Sequence, residues 1–545
     1  MAILHAEDPC RGRRTAVPRL VTDQDLLSPY LEDASGSSPG TATGLLRAES
    51  EEEISSWLRA TCDQAVPVLP QAARSSLTGG AHPSGEVVVS VERLRGVQVR
   101  GDGTATVGPG MRLVELQQEL ESHGLYYPPV PTYQDAMIGG TVSTNAGGAA
   151  TFKYGVTRQW IRGIRVALFN GDVLDLKRGQ ASVAPGGHFR IALSGGEVLQ
   201  VPAPTYRLPD LKKISAGYHA SDPLDLLDLF IGSEGTLGVI TEVTIDTIPL
   251  PAAVLSGLAF TGGDRLAVDL AGELRRAALA CRSGDSREPD IRAIEWVDSR
   301  SLALLKIHGD LRDLKLRLPA EAGSAILFEM ELPPGREQDP ILDLLERFLS
   351  GEPDLPDRAE VRLFRLLERC NTLESLLPAL PGDRAVREQL RRFRESVPVR
   401  VNELLAAGRT AGAGARKVGG DLIVPFEQLP VFIEAIEHEL GGRGLPYAIW
   451  GHLSDGNLHP NVLPADAGQV RLGEEALLAL GQVAADLGGC PLSEHGVGRS
   501  GLKQELMRRF LGDAAVGEMR EVKKGLDPAL RFAPGTLFPR KDTDF

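Results

Sequence analysis

The sequence predicts an α+β protein built in two parts. Three observations carry this expectation. Three glycine-rich stretches, at 70–80, 138–148 and 232–241, each lie beside a strand-like run within the first 250 residues. Beyond Pro249-Leu250-Pro251 the texture changes, and helical stretches alternate with apolar strand-like ones. Near the far end, Trp450-Gly451-His452-Leu453-Ser454-Asp455-Gly456-Asn457-Leu458-His459-Pro460-Asn461 is followed by Ser493-Glu494-His495-Gly496-Val497-Gly498.

Length and composition narrow the class. A chain of 545 residues is expected to hold two or three domains at about 100–200 residues each. The 42% hydrophobic and 24% charged content is that of a water-soluble globular chain. A net charge of −14 argues against nucleic acid or an anionic membrane as partner. Cys10, Cys62, Cys281, Cys370 and Cys490 form no CxxC pair, so cysteine spacing encodes neither an iron–sulfur cluster nor a zinc ribbon. Their odd number and wide scatter suit a reducing cytosol. Residues 1–14 lack the apolar centre of a signal peptide, and no run of about 18 apolar residues occurs. The expected location is the cytoplasm, with peripheral membrane association left open.

Taken in order, residues 1–40 read as a loosely structured N-terminal arm containing Ser35-Gly36-Ser37-Ser38-Pro39-Gly40. Residues 51–60 read as an amphipathic helix with Ile54, Trp57 and Leu58 on one face. Strands are expected at 66–70, 87–91 and 105–107, and a helix at 113–120. A hairpin is expected from 164–169 through Asn170-Gly171-Asp172 into 173–176, and a further strand opens near 239. The domain boundaries are set at 41–251 and 252–540. In the second part, helices are expected at 265–281, 341–349 and 427–440, with strands at 294–297, 325–330 and 422–424.

None of the glycine-rich stretches is GxGxxG or GxxxxGK[ST], so the Rossmann and P-loop fingerprints are missing. Their physical use is the same. Glycine admits close approach and positive φ, and successive exposed N–H groups form a concavity for an anion such as a pyrophosphate. One such stretch is ordinarily a turn. Three beside strands point to a nucleotide cofactor.

The histidine stretches offer two imidazoles, a carboxylate and a spare imidazole. If Asp455-Gly456 is a two-residue hairpin tip, His452 faces His459, and directly opposed Cβ atoms lie about 4.5–5.5 Å apart. If Gly456-Asn457 is the tip, the two are out of register. Neighbours in an extended strand point to opposite faces, so Glu494 and His495 serve one site only if the backbone turns, which Gly496 and Gly498 allow.

These pieces, in this order, resemble the flavin-binding domain of the vanillyl-alcohol oxidase/p-cresol methylhydroxylase family, with Lys153-Tyr154-Gly155 following the second loop. The stretches at 452–461 and 494–498 resemble the second half of the FAD-dependent D-2-hydroxyacid dehydrogenases, the branch holding D-lactate, glycolate and D-2-hydroxyglutarate dehydrogenases. The resemblance covers roughly residues 25–540. It implies a two-part FAD-binding domain of the p-cresol methylhydroxylase type, followed by an α+β, ferredoxin-like substrate or cap domain. It implies FAD contacts from Ala73, Arg74, Ser75, Ser76, Gly139, Gly140, Ser143, Asn145, Gly147, Glu234, Gly238 and Ile240. Ala72 and Arg74 stand where family members often carry glycine. Ala72 can replace it at negative φ, and Arg74 would face solvent or a phosphate. His82 follows the first loop at a position that does not suggest a covalent flavin link, so FAD is expected to be non-covalent.

The implied chemistry is oxidation of a D-2-hydroxy acid to the 2-oxo acid, with hydride to flavin N5. His452, His459 and Glu494 would hold a divalent ion, zinc by donor type with manganese or iron as alternatives. That ion would acidify the substrate hydroxyl, and His495 would be the base. Asn461, two residues past His459 on the same strand face, would hydrogen-bond substrate. Arg394 and Lys417 match the family's carboxylate-binding cations, and guanidinium suits a carboxylate. Pro398 stands where some relatives carry a polar residue. Electrons would leave to an external acceptor: a quinone, a cytochrome, an electron-transfer flavoprotein or oxygen. A homodimer is left open. The competing readings are an FAD oxidase of another alcohol on this fold, ether-lipid-type chemistry without net oxidation, and a flavin-binding protein lacking activity.

Overall fold

The computed structural model describes residues 3–12, 16–129, 131–183, 187–334, 341–410 and 414–540. Two compact units divide the chain. One takes Met1–Gly148, Gly155–Pro249 and Leu492–Phe545, and the other takes Ala149–Tyr154 and Leu250–Pro491. The stretch 252–540, expected as one domain, therefore contributes to both units.

In the first unit a parallel sheet runs Thr41–Arg47, Ser84–Ser90, Val68–Gln71. An antiparallel sheet runs Val97–Val99, Thr104–Val107, Val239–Asp246, Ile161–Ala167, Val173–Lys177. The helix Glu51–Ala60 starts where the Ser50 side chain accepts from the Glu53 N–H. Its Ile54, Trp57 and Leu58 pack in one cluster with Val68, Val87 and Val89 of the first sheet and Ala167, Val173 and Val239 of the second. Side chains of this kind contribute about 1.5–3 kcal/mol each when fully buried, so this helix face is the seam between the sheets.

Two expectations are corrected here. The N-terminal arm is built into the fold rather than loose, although residues 1–2 and 13–15 of it lie outside the described residues. Leu4–His5 pairs in parallel with His188–Ala192, Asp23 caps the helix Gln24–Leu27, and Leu27 and Tyr30 are buried. The anchors are a few short apolar stretches, Ile3-Leu4, Leu26-Leu27 and Tyr30-Leu31, which form no long periodic pattern. The second glycine-rich stretch also begins as a helix, Ile138–Ser143, with Ile138 and Val142 buried. Gly139 is needed there because a Cβ would meet the Pro109 ring at 2.7 Å.

The chain re-enters this unit after Pro491. Beyond the helix Gly501–Leu526, the closing segment pairs with Val68: the Val68 N–H donates to Arg531 O, and the Ala533 N–H donates to Val68 O. Arg531 is 1% exposed. Its guanidinium donates to the carbonyls of Val66, Leu58 and Phe169 and to Thr61 Oγ1.

The second unit is built on an antiparallel sheet of eight strands among the described residues. Its order is Leu377–Ala379, Ala253–Thr261, Ser324–Leu332, Asp290–Val297, Tyr447–His452, Asn457–Val462, Val418–Gly419, with Leu422–Ile423 also pairing to Asn457–Val462. The helices Ser299–His308 and Arg384–Thr410 cover one face through Leu302, Leu305, Phe393, Val397 and Val401, packed on Phe260, Val297 and Trp450. The paired strands Asp290–Val297, Tyr447–His452 and Asn457–Val462 sit inside the sheet, so their side chains are held on both edges.

Replacing Arg531 by Met keeps the bulk and removes the donor shared by the carbonyls of Val66, Leu58 and Phe169. The expected result is a loss of about 3–5 kcal/mol, the cost of breaking a buried polar network at one partner. Urea unfolding of wild type and Arg531→Met measures it, and an unchanged midpoint would refute the anchoring role.

Candidate active site

The three glycine-rich stretches meet around one cavity of about 300 Å³ in the first unit, at the lower end of the range for small-molecule sites. Ala73, Arg74, Ser75 and Ser76 line it from the first stretch. Gly139, Gly140, Ser143 and Gly147 line it from the second, and Glu234, Gly238 and Ile240 from the third. Asn145 does not line the cavity. It is buried at φ +49, and its Oδ1 accepts the Arg158 N–H at 2.9 Å, which fixes the loop rather than a ligand. Glu494 and His495 line the same cavity. Ala72 keeps a negative φ, as its replacement of glycine requires, whereas Arg74 sits at φ +58 and Glu234 at φ +52.

The turn that Glu494 and His495 need is present. Gly496 has φ +76 and Gly498 φ +57. The Glu234 carboxylate receives the reversed backbone: Val497 N–H donates to Oε1 and Gly498 N–H to Oε2, each at 2.8 Å. A Cβ at Gly496 would meet this carboxylate at 2.9 Å. Burial pushes Glu234 up to about 7, against the pull of the two N–H groups. From the other side, the Ser215 N–H donates to Leu492 O, and the Gly496 N–H donates to Ser215 Oγ at 3.1 Å. Lys213, fully buried, places Nζ 3.0 Å from Glu494 Oε2, and Glu494 Oε1 lies 3.6 Å from His495 Nε2.

In the second unit the hairpin is not the one expected. Leu453–Asp455 forms a 3₁₀ turn, and Gly456 at φ +82 closes it. His452 therefore pairs with Asn457, and Trp450 pairs with His459. A Cβ at Gly456 would strike Val424 O at 1.9 Å, so packing against the neighbouring segment sets this loop. The histidines become diagonal neighbours on one face, with ring centroids 5.5 Å apart, and both are nearly fully buried. Asn461 shares that face, is 3% exposed, and its Nδ2 donates to His459 O.

Each ring lies beside a carboxylate absent from the sequence reading. Glu295 lies directly across the sheet from His452, and its Oε1 contacts His452 Nδ1. Glu295 Oε2 accepts from Arg394 Nε. Burial pushes the Glu295 carboxyl up, but the His452 ring and the Arg394 guanidinium outweigh this and hold it at about 2. Asp421 Oδ1 lies 3.5 Å from His459 Nδ1 and accepts from Asn457 Nδ2 at 3.2 Å. An imidazole held by a carboxylate through Nδ1, as His452 is, keeps Nε2 to offer a metal. Arg394 is buried and tied to this network. Lys417 is half-buried, with Nζ 3.1 Å from Asn402 Oδ1. Glu295, Asp421 and Lys213 were missed because lone charged residues in strands or loops have no local signature. Only Glu295 left a trace, an acid within the apolar run Ile294-Glu295-Trp296-Val297.

Comparison with known proteins agrees with this architecture. Residues 42–177 match the FAD binding domain family, and residues 273–537 match the C-terminal domain of FAD linked oxidases. The chain belongs to the FAD-linked oxidases and is an oxidoreductase. It is 25% identical over 517 residues to the glycolate oxidase subunit GlcD of Bacillus subtilis, covering 94% of this chain and 92% of that one. It is 26% identical to D-lactate dehydrogenase of Anaerostipes hadrus (90% and 89% covered). It is 28% identical to D-2-hydroxyglutarate dehydrogenase of Xanthomonas citri (97% and 96% covered). A solved alkyldihydroxyacetonephosphate synthase shares the fold, with a TM-score of 0.55 at 15% identity, over 91% of this chain and 77% of that one. No helix among the described residues is long and apolar enough to cross a membrane.

The Glu295 network sets a pH dependence. A carboxyl held at about 2 when folded and near its ordinary 4.5 when unfolded contributes stability that is complete above pH 4.5 and lost as pH falls toward 2. Glu295→Gln should be less stable than wild type by about 3–5 kcal/mol at pH 7, and the gap should narrow below pH 4.5. Denaturant unfolding at stepped pH tests this, and a gap that stays constant down to pH 3 would show that charge is not the cause.

Proposed function

We propose that the protein oxidises a D-2-hydroxy acid to the corresponding 2-oxo acid. One observation carries the reading: His495 and Glu494 line the same cavity as the three glycine-rich stretches. A base there adjoins the place where a flavin would accept hydride. The names of the relatives, all acting on 2-hydroxy acids, support the same substrate class.

The cavity wall fits non-covalent FAD. Closely packed glycines let backbone approach the cofactor, and Arg74 Nη1 is a buried donor with no hydrogen-bond partner. When bound, FAD would supply the two-electron acceptor for the hydride lost from Cα. A divalent ion, zinc by donor set with manganese or iron as alternatives, would supply Lewis acidity at the substrate hydroxyl. His452 and His459 would be its imidazole ligands, and Glu494 its carboxylate ligand. His495 takes the hydroxyl proton as hydride leaves Cα, which balances the reaction: one proton and one hydride lost, one carbonyl gained. Arg394, Lys417 and Asn461 hold and orient the substrate carboxylate. Two electrons then pass to an external acceptor, a quinone, a cytochrome or an electron-transfer flavoprotein.

The test uses the purified full-length chain. It should carry flavin absorbance that is released on acid precipitation. The flavin should bleach with D-lactate, glycolate or D-2-hydroxyglutarate, and turn over with an artificial acceptor. His495→Asn should keep flavin and lower kcat by about 10²–10⁴-fold, the usual contribution of a general base. Turnover only with other alcohols would replace the substrate class. Unchanged metal content and turnover in His452→Ala would remove the ion from the scheme.

A further inference from the structure

FAD brings a pyrophosphate with two negative charges into a protein whose net charge is −14. The cavity wall already holds two carboxylates, Glu234 and Glu494. Among the described residues that line it, Arg74 is the one lysine or arginine. Electrostatics alone makes that side chain matter, because a dianion in a low-dielectric cleft needs a nearby opposite charge.

The local structure treats Arg74 as more than a tolerated substitution. Its φ of +58 is a conformation that glycine adopts freely and an arginine adopts only under constraint. The constraint is visible. The Ala34 N–H donates to Arg74 O at 3.1 Å, so the N-terminal arm pins the loop. The guanidinium lies over the Tyr30 ring, 4.8 Å from its centroid, which orients it by a cation–π contact. The acid beside it does not use it up. Glu92 Oε1 is taken by Tyr30 Oη at 2.5 Å and Arg47 Nε at 2.9 Å, while Arg74 Nη1 stays 4.0 Å from Glu92 Oε2. Nη1 is buried without a hydrogen-bond partner, and such a donor is costly to leave unused.

We propose that Arg74 carries the counter-charge for the FAD pyrophosphate, using the donors that its stacked, pinned position leaves over. This rests on the reading that the cavity holds FAD. The loop uses a strained arginine here, and its flavin affinity depends on salt.

The test is FAD binding to the full-length apoprotein, followed by flavin fluorescence. Arg74→Gly removes the charge and relaxes the backbone, so the two effects carry opposite signs. The expected result is FAD binding weakened by about 10- to 100-fold, the range for one or two charge-assisted hydrogen bonds. Arg74→Lys should retain most of the affinity. The gap between wild type and Arg74→Gly should narrow as salt is raised from about 0.05 to 0.5 M. ADP, which carries the pyrophosphate, should lose affinity by a similar factor, and riboflavin should not. Arg74→Gly binding FAD as tightly as wild type would overturn the proposal, since the glycine variant has the more relaxed loop. Equal losses for riboflavin and ADP would overturn it too, by showing a collapsed cavity. A wild-type chain that binds no FAD would instead remove the cofactor reading on which the proposal stands.

Discussion

The placement of the candidate base depends on one buried carboxylate. Glu234 accepts two consecutive backbone N–H groups, from Val497 and Gly498, and so fixes a chain reversal that glycines only permit. Without an acceptor those N–H groups would be buried and unsatisfied, at a cost of about 1–3 kcal/mol each. With it, the segment carrying Glu494 and His495 is held on the wall that the third glycine-rich stretch forms. Glu234 itself sits at φ +52, with its N–H donating to Ser143 O. The second and third glycine-rich stretches and the returning segment are therefore locked by one residue. Its elevated pKa is the cost of that burial, offset in part by the same two hydrogen bonds.

The second unit solves a related problem by other means. Imidazoles inside a sheet can rotate, and a ligand pair is useful only when both rings are aimed. Glu295 holds His452 through Nδ1, Asp421 lies beside His459, and each acid is secured in turn: Glu295 by Arg394, and Asp421 by the Asn457 amide. Burying such charges is unfavourable unless each is matched. One of the matching groups, Arg394, is also one the proposed chemistry would employ. An arginine committed to Glu295 through Nε still has its terminal nitrogens for a substrate carboxylate, which is how guanidinium differs from ammonium.

Much of the fold was legible because period and punctuation agree with it. The amphipathic spacing of Ile54, Trp57 and Leu58 marks the helix found at Glu51–Ala60. Asn170-Gly171 marks the turn of an antiparallel pair that the structure contains. The N-terminal arm was misread because the run Ser35-Gly36-Ser37-Ser38-Pro39-Gly40 reads as loose, while its anchoring rests on Leu4, Leu27 and Tyr30. Eleven of the twelve residues assigned to the cofactor line the cavity. The exception, Asn145, shares their neighbourhood but spends its side chain on Arg158. Local sequence cannot separate a loop's lining from its internal brace. Nor can it pair Glu295 with His452, because that contact spans 157 residues and exists only once the sheet has formed.

The hairpin shows why a wrong turn left the histidine pair intact. Asp455-Gly456 signals a two-residue loop, and the strands instead close over four residues, Leu453 to Gly456. Side chains alternate faces with period two, so lengthening a loop by two residues slides one strand past the other without exchanging faces. His452 moves from opposite His459 to one step diagonal, and the rings still meet at 5.5 Å. A loop of three residues would have sent one imidazole to the far side of the sheet. The functional face is thus protected by parity rather than by the identity of the turn. What fixes the even count is steric: Gly456 presses on Val424 O, where any Cβ would collide. That contact ties the register of the two histidines to the strand that precedes Pro425, and makes Gly456 a residue that acts through two side chains it never touches.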